Sequence, residues 1–188
     1  MNIDKSSLSV HRQVQTIDDL LEQYRDELDT DFEAYRNHVY RTFNLALVYA
    51  AVTVKNDAFE KVAMASVFHA LGIWTDNTWD YIRPSIVSAT KYLVKTRRKQ
   101  WILDISFIIS EQLKLSKCRG PFTPLAEAFR KAVWLDIAMF KVPTRLPRTF
   151  LAECLEAFPR CGFHKRMLEL GSIWAKSHPF NPLPMLKF

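Results

Sequence analysis

A helical bundle is the fold class this sequence predicts. Apolar residues recur at helical spacing along most of the chain, and few stretches alternate with the period of two that a half-buried strand needs. The 188 residues include only 4 glycines. Hydrophobic residues make up 48% and aromatic residues 13%, enough for a substantial core and unlike a disordered chain. This length makes one domain the default. The expectation is an all-α single domain over 1–188, with a core over about 16–141 and C-terminal helices and a proline-containing tail over 148–188.

The elements follow in order. Thr16-Ile17-Asp18-Asp19 offers a cap and early acids, so a first helix runs from Thr16 to about Leu28. A second runs from about Asp31 to Val52, with Phe32, Tyr35, Val39, Phe43 and Ala46 or Leu47 on one stripe. Asp57-Ala58-Phe59-Glu60 resembles a capping box and opens a third. Leu71-Gly72 closes it, with glycine as a left-handed stop. Ile73 to Arg83 reads as a polar-aromatic loop. Pro84 opens a helix to about Lys99, and another spans Trp101 to Leu115. After the turn Lys117-Cys118-Arg119-Gly120-Pro121, Thr123-Pro124 starts a helix to about Lys141, with proline at the tolerated first position. Pro143 and Pro147 mark a linker. Thr149 to Phe158 and Phe163 to Ser177 complete the set. The tail from His178 to Pro184 holds three prolines and is not helical.

Composition bounds function as well. Cys118, Cys154 and Cys161 are odd in number and lack paired spacing, which argues against a disulfide framework or a zinc knuckle. A reducing cytoplasm is the expected home. No signal-peptide core follows Met1, and the longest uncharged apolar stretch, Leu45 to Val54, falls short of the about 20 residues a membrane span needs. The net charge is +6, spread unevenly. Residues 1–60 hold 11 acidic and 6 basic side chains, whereas residues 61–188 hold 9 and 20. Such asymmetry suits an anionic partner, or acidic first helices that pack on a basic remainder. The dense cluster Lys95, Arg97, Arg98, Lys99 is short for a nucleic-acid patch, and the aromatics fall at core spacing, so nucleic acid is disfavoured. Gly-rich phosphate loops and the H-E-x-x-H zinc motif are absent.

Two histidines carry the chemical interest. His38 lies mid-helix in Asn37-His38-Val39-Tyr40-Arg41, and Arg41 shares its face. His69 lies near the end of the next helix, in Phe68-His69-Ala70-Leu71-Gly72. Imidazoles on neighbouring helices can share a transition metal. A hydrolytic centre adds carboxylates, and Asp76, Asp80 and Asp136 are the candidates. Residue by residue, the plain alternative is packed histidines, turn-forming aspartates and solvated basic side chains.

Phe32 to Tyr81, together with Glu127 to Ala138, resembles the HD-domain superfamily of metal-dependent phosphohydrolases, which are all-helical. Their signature is a histidine, a His-Asp pair at a helix end, and a late aspartate. In this resemblance His38 matches the first histidine and His69 the histidine of the pair, in the frame Ser66-Val67-Phe68-His69-Ala70-Leu71-Gly72-Ile73. Phe129 to Asp136 looks like the late region. The loop Gly72 to Asp76 and the stretches Gly162 to Lys165 and Asn181 to Pro184 are similar to small bacterial members, so the likeness covers most of the chain.

The departures set the functional expectation. Ala70 stands where the pair has its aspartate, Val133 where the late aspartate falls, and Asn77 where a further histidine is expected. Alanine and valine offer no electron pair. The resemblance therefore implies a degenerate HD-domain protein. It would hold no metal, or a weakly bound divalent ion on His38 and His69, with Asp136 as a possible third ligand. It would bind a phosphorylated small molecule, a nucleotide or a protein partner, with little or no hydrolysis. Arg41, Arg130 and Lys131 would contact anionic groups. Trp74, Asp76, Asn77 and Asp80, with Trp79, would line the pocket. The alternative is a working metal-dependent phosphohydrolase on nucleotides or phosphate monoesters.

Overall fold

The computed structural model describes residues 8–50, 57–120 and 122–187. Among them every regular element is helical, and the one extended pairing is a parallel bridge between Lys114 and Lys187. The elements are α1 (Gln15–Glu22), α2 (Arg25–Leu28), α3 (Phe32–Ala50), α4 (Ala58–Phe68), α5 (Gly72–Thr75), α6 (Ile82–Lys95), α7 (Ile102–Glu111), α8 (Thr123–Ile137), α9 (Arg148–Ala157) and α10 (Phe163–Ser177). No helix among the described residues is long and apolar enough to cross a membrane. The three cysteines are free. The end of the expected second helix, 51–52, lies outside the described residues.

Helix α3 forms the axis. It packs along α8 and also touches α2, α4, α9 and α10. Its expected stripe is real, with Tyr35, Val39, Phe43 and Ala46 all fully buried. Enclosure on nearly every side also buries polar residues, and each then needs a partner. Asn44 Oδ1 accepts from the His11 amide at 2.7 Å, and its Nδ2 donates to the His11 carbonyl at 3.1 Å. Asn37 Nδ2 donates to the Pro159 carbonyl at 2.9 Å. Tyr40 donates to Asp18 Oδ1 at 2.8 Å and accepts from the Val14 amide at 3.0 Å, which ties the segment before α1 to α3.

Several expected boundaries shift for physical reasons. The first helix breaks after Glu22 and resumes at Arg25, then turns at Asp29, whose φ is 43°. Thr16 is not its cap. It sits inside α1 and donates to Glu60 Oε2 at 2.9 Å, so Glu60 does not close a capping box with Asp57. Gly72 is not a left-handed stop. It opens the short helix α5, and a Cβ there would lie 2.7 Å from the Tyr81 carbonyl oxygen and 2.8 Å from Pro84 Cβ. Glycine serves close approach, not a positive φ. Helix α6 starts two residues before Pro84, which remains in the tolerant first turn. Helix α8 ends at Ile137, ahead of Met139 and Phe140 at φ 55° and 64°. Phe163 to Ser177 forms α10 as expected.

The charge asymmetry is partly absorbed inside the molecule. Asp31 pairs with Arg166 at 2.9 Å and Glu60 with Arg98 at 3.9 Å, so early acids meet later bases. Half-exposed pairs of this kind contribute at most about 1 kcal/mol each. They orient surfaces more than they hold the fold.

Candidate functional site

The site is built outward from α3. His38 and Arg41 share one face, and that face looks at α8. Arg41 donates from Nε to Asp136 Oδ1 at 2.6 Å and from Nη2 to Oδ2 at 3.0 Å. Its Nη1 donates to the carbonyls of Phe158 and Pro159 at 3.0 and 3.2 Å. His38 Nδ1 meets Asp136 Oδ2 at 2.7 Å. Arg41 and Asp136 are fully buried. Burial alone would raise the Asp136 carboxyl, but the His38 bond and the Arg41 charge outweigh it and hold the group well below the usual carboxylate range. The bidentate fork is the geometry that offsets the several kcal/mol per ion that desolvation costs.

His69 caps the end of α4. Its Nδ1 lies 2.7 Å from the Ser66 carbonyl oxygen, and its Nε2 lies 3.0 Å from Nε2 of His38. Phe163 stacks on His38 with ring centroids 4.0 Å apart, and Phe129 meets His69 edge-on at 5.5 Å. Burial pushes both imidazoles below their ordinary value. His69, with His38 as a second cause, falls to about 3.

Proton accounting gives this pair a distinctive character. A carboxylate and a backbone carbonyl only accept, so Nδ1 of each ring donates. Neutral rings then present two Nε2 lone pairs to each other. Three contacts call for three protons, and two neutral imidazoles supply two. The pair is one hydrogen-bond donor short whenever both rings are neutral.

Both histidines line a cavity of about 420 Å³, and so do Ala70 and Val133. The two positions where the resemblance expects acids thus flank the imidazoles. The rest of the wall comes from Ile73, Leu113, Trp134, Phe163 and Met167, among others, and from tail residues Leu183, Met185 and Leu186. Among the described residues, no Lys, Arg, Asp or Glu lines it. Leu168, Leu183, Ile137 and Met139 line the cavity yet are solvent-exposed, so it opens to the surface there.

A divalent metal finds a poor donor set. The imidazoles converge, and each Nδ1 has the outer partner that metal-bound histidines use. Asp136, however, is that outer partner and not a ligand: both oxygens are held by His38 and Arg41. Among the described residues no group of three or more His, Cys, Asp or Glu side chains is placed to hold a metal. The side chains of the described residues do not make up a hydrolytic metal centre.

Of the other expected residues, Trp79 lines the cavity, and the rest lie elsewhere. Trp74 donates from Nε1 to Asp31 Oδ2 at 3.0 Å and packs on Tyr35 at 4.6 Å between ring centroids, outside the cavity wall. Asp76 is exposed and accepts from Thr75 Oγ1 at 2.7 Å. Asn77, at φ 47°, makes a left-handed turn. Asp80 is exposed, with its amide on Thr78 Oγ1 at 3.2 Å. Arg130 forks onto Glu127 with both bonds at 2.8 Å and draws that carboxyl down to about 2 against the effect of burial. Lys131 is exposed, 3.8 Å from Glu127. The direct contact expected between Arg41 and a bound anion is blocked, since Arg41 is sealed against Asp136 and two carbonyls.

Three residues join the site that the sequence had not assigned to it. Phe163 and His164 begin α10, and His164 Nε2 donates to the Asp136 carbonyl at 2.8 Å. Gln112, fully buried, donates from Nε2 to the His69 carbonyl at 2.6 Å. The Gly162-Phe163-His164-Lys165 stretch was a signal for the first two. Gln112 gave none, because one amide after an apolar helical run looks like a helix end. Compared with known proteins, the chain matches no family model, no curated protein and no solved structure.

Proposed function

We propose that the protein is a small-molecule-binding relative of the HD-domain phosphohydrolases with little or no metal-dependent hydrolysis. The observation that carries this reading is the shared cavity wall: His38 and His69 stand beside Ala70 and Val133, while the nearest carboxylate, Asp136, is fully engaged behind His38. Each imidazole has an outer partner for its Nδ1, and among the described residues the wall lacks the carboxylates that anchor hard cations. A phosphorylated ligand, expected from the resemblance, finds no positive side chain in this wall among the described residues. A protein partner has no feature here that speaks for it.

One observation favours the alternative of an active phosphohydrolase. Nε2 atoms 3.0 Å apart have the separation of two imidazoles at right angles about one ion with bonds of about 2.1 Å. The test is metal content by mass spectrometry and hydrolysis of p-nitrophenyl phosphate with added Mn²⁺, for the native chain and for Ala70→Asp/Val133→Asp. The expected result is far less than one equivalent of metal and no Mn²⁺-dependent turnover in the native chain, with metal uptake rising in the double variant. One bound equivalent in the native chain, with turnover lost in His69→Ala, would overturn the proposal.

A further inference from the structure

We propose that the cavity binds an uncharged, largely apolar molecule that carries a hydroxyl group, an alcohol or a phenol, with the hydroxyl donating into the polar floor of the pocket. This deepens the binding reading above and rests on it.

The apolar body follows from the wall. At about 420 Å³ the cavity falls in the range that encloses a drug-sized ligand. Leucines, isoleucines, methionines and aromatic rings supply most of its surface. An anion entering it would lose its hydration with no cation in the wall, among the described residues, to replace it. An ammonium group would fare no better, because among the described residues no carboxylate lines the wall, and Asp136 behind His38 already neutralises Arg41.

The hydroxyl follows from unmatched hydrogen-bonding atoms. Three residues of the wall carry a buried polar atom with no partner among the described residues: Gln112 Oε1, His164 Nδ1 and Trp79 Nε1. Gln112 is fully buried, and its amide orientation is fixed because Nε2 donates to the His69 carbonyl. Its Oε1 therefore waits for a donor. His164 donates from Nε2 to the Asp136 carbonyl, so the Nδ1 of the neutral ring is an acceptor too. The Nε2 atoms of His38 and His69 add further acceptor capacity. The Trp79 indole N–H and the Tyr81 hydroxyl, which also belongs to the wall and has no hydrogen-bond partner among the described residues, are the donors left. A wall that offers unpartnered acceptors and donors side by side selects a ligand group that both donates and accepts, which describes a hydroxyl. Leaving such atoms unsatisfied is costly, so an apolar ligand without a donor binds less well than its hydroxylated counterpart.

The test uses four naphthalene probes of nearly equal shape: 1-naphthol, 1-methoxynaphthalene, naphthalene and 1-naphthyl phosphate. Each is titrated by calorimetry into the native chain without metal and with Mn²⁺. The expected order is 1-naphthol tightest, the methoxy compound and naphthalene at least tenfold weaker, and the phosphate weakest and unhydrolysed. Val133→Phe, which fills the cavity, is expected to weaken 1-naphthol at least tenfold with its helical circular dichroism intact. The native-chain series stands by itself if that variant does not fold. Equal binding of 1-naphthol and 1-methoxynaphthalene would overturn the donor requirement, and binding of none of the probes would overturn the proposal entirely. Tightest binding of 1-naphthyl phosphate without hydrolysis would sink this inference and leave the binding reading standing. Mn²⁺-dependent hydrolysis of that phosphate would sink both.

Discussion

Asp136 is the residue through which the buried centre is held together. It joins Arg41 and His38 inside the protein, where a lone charge is costly. Asp136→Asn should leave the Arg41 guanidinium without its counter-ion and destabilise the fold by about 3–5 kcal/mol, measured by urea unfolding. Arg41→Met combined with Asp136→Leu removes both charges together, so it should cost less than the single change. A double variant as unstable as Asp136→Asn or worse would show that the pair itself, and not its imbalance, holds the centre. Acid should weaken the native chain as well. His38, His69 and His164 all lie below the ordinary histidine value, with His69 at about 3. Between 6.5 and about 3 the unfolded chain therefore binds more protons than the folded one, and stability falls as pH falls. Asp136, depressed below its unfolded value of 3.8, contributes stability above that value and loses it at still lower pH, in the same direction. The urea midpoint should drop steadily from pH 7 to pH 4, and less steeply in His69→Leu. A midpoint that is flat or rises over that range would contradict the burial of neutral imidazoles.

At the scale of elements, the most exacting contact is that between α5 and the start of α6. Gly72 packs against the Tyr81 carbonyl and Pro84, and its amide donates to Ser85 Oγ at 3.0 Å. Gly72→Ala must push backbone aside, not a flexible side chain. A loss of about 1–3 kcal/mol is expected, the usual cost of overpacking, read as a lower thermal midpoint. No change in the midpoint would show that this junction yields freely. The same glycine shows where sequence reasoning reached its limit. Its place after an apolar helix reads equally as a left-handed stop or as a site of close approach, and only the identity of the neighbour, Tyr81, decides. Thr16 and Glu60 repeat the lesson. Each has the right type and place for a local cap, yet they bond to each other across 44 residues. Local capping competes with tertiary partners of similar strength, and the sequence does not rank them. Where no such competitor exists, as for α10 after Gly162 at φ 81°, the boundary was legible.

The whole molecule walls one side of its pocket with its own tail. The Leu115 amide donates to the Lys187 carbonyl at 2.8 Å, and Lys187 Nζ reaches Glu111 Oε1 at 3.0 Å. These ties lay Leu183, Met185 and Leu186 along the cavity. Removing residues 179–188 should leave α1 to α10 folded, because α3, α4, α7 and α8 pack on one another without it. It should cost the affinity for 1-naphthol at least tenfold. Retained binding in the shortened chain would show that the tail merely rests on the surface.

The sequence by itself determined the all-α class, most helix positions and the prominence of His38 and His69, because hydrophobic period, proline placement and residue chemistry are local properties. It also marked Ala70 and Val133 as positions without electron pairs. Only the tertiary structure decided that Asp136 faces the back of His38 and not the cavity, that Arg41 is sealed from any ligand, and that Gln112 and the tail belong to the pocket. Each of those outcomes depends on which partner a side chain meets across tens of residues, and such pairings arise when the helices pack.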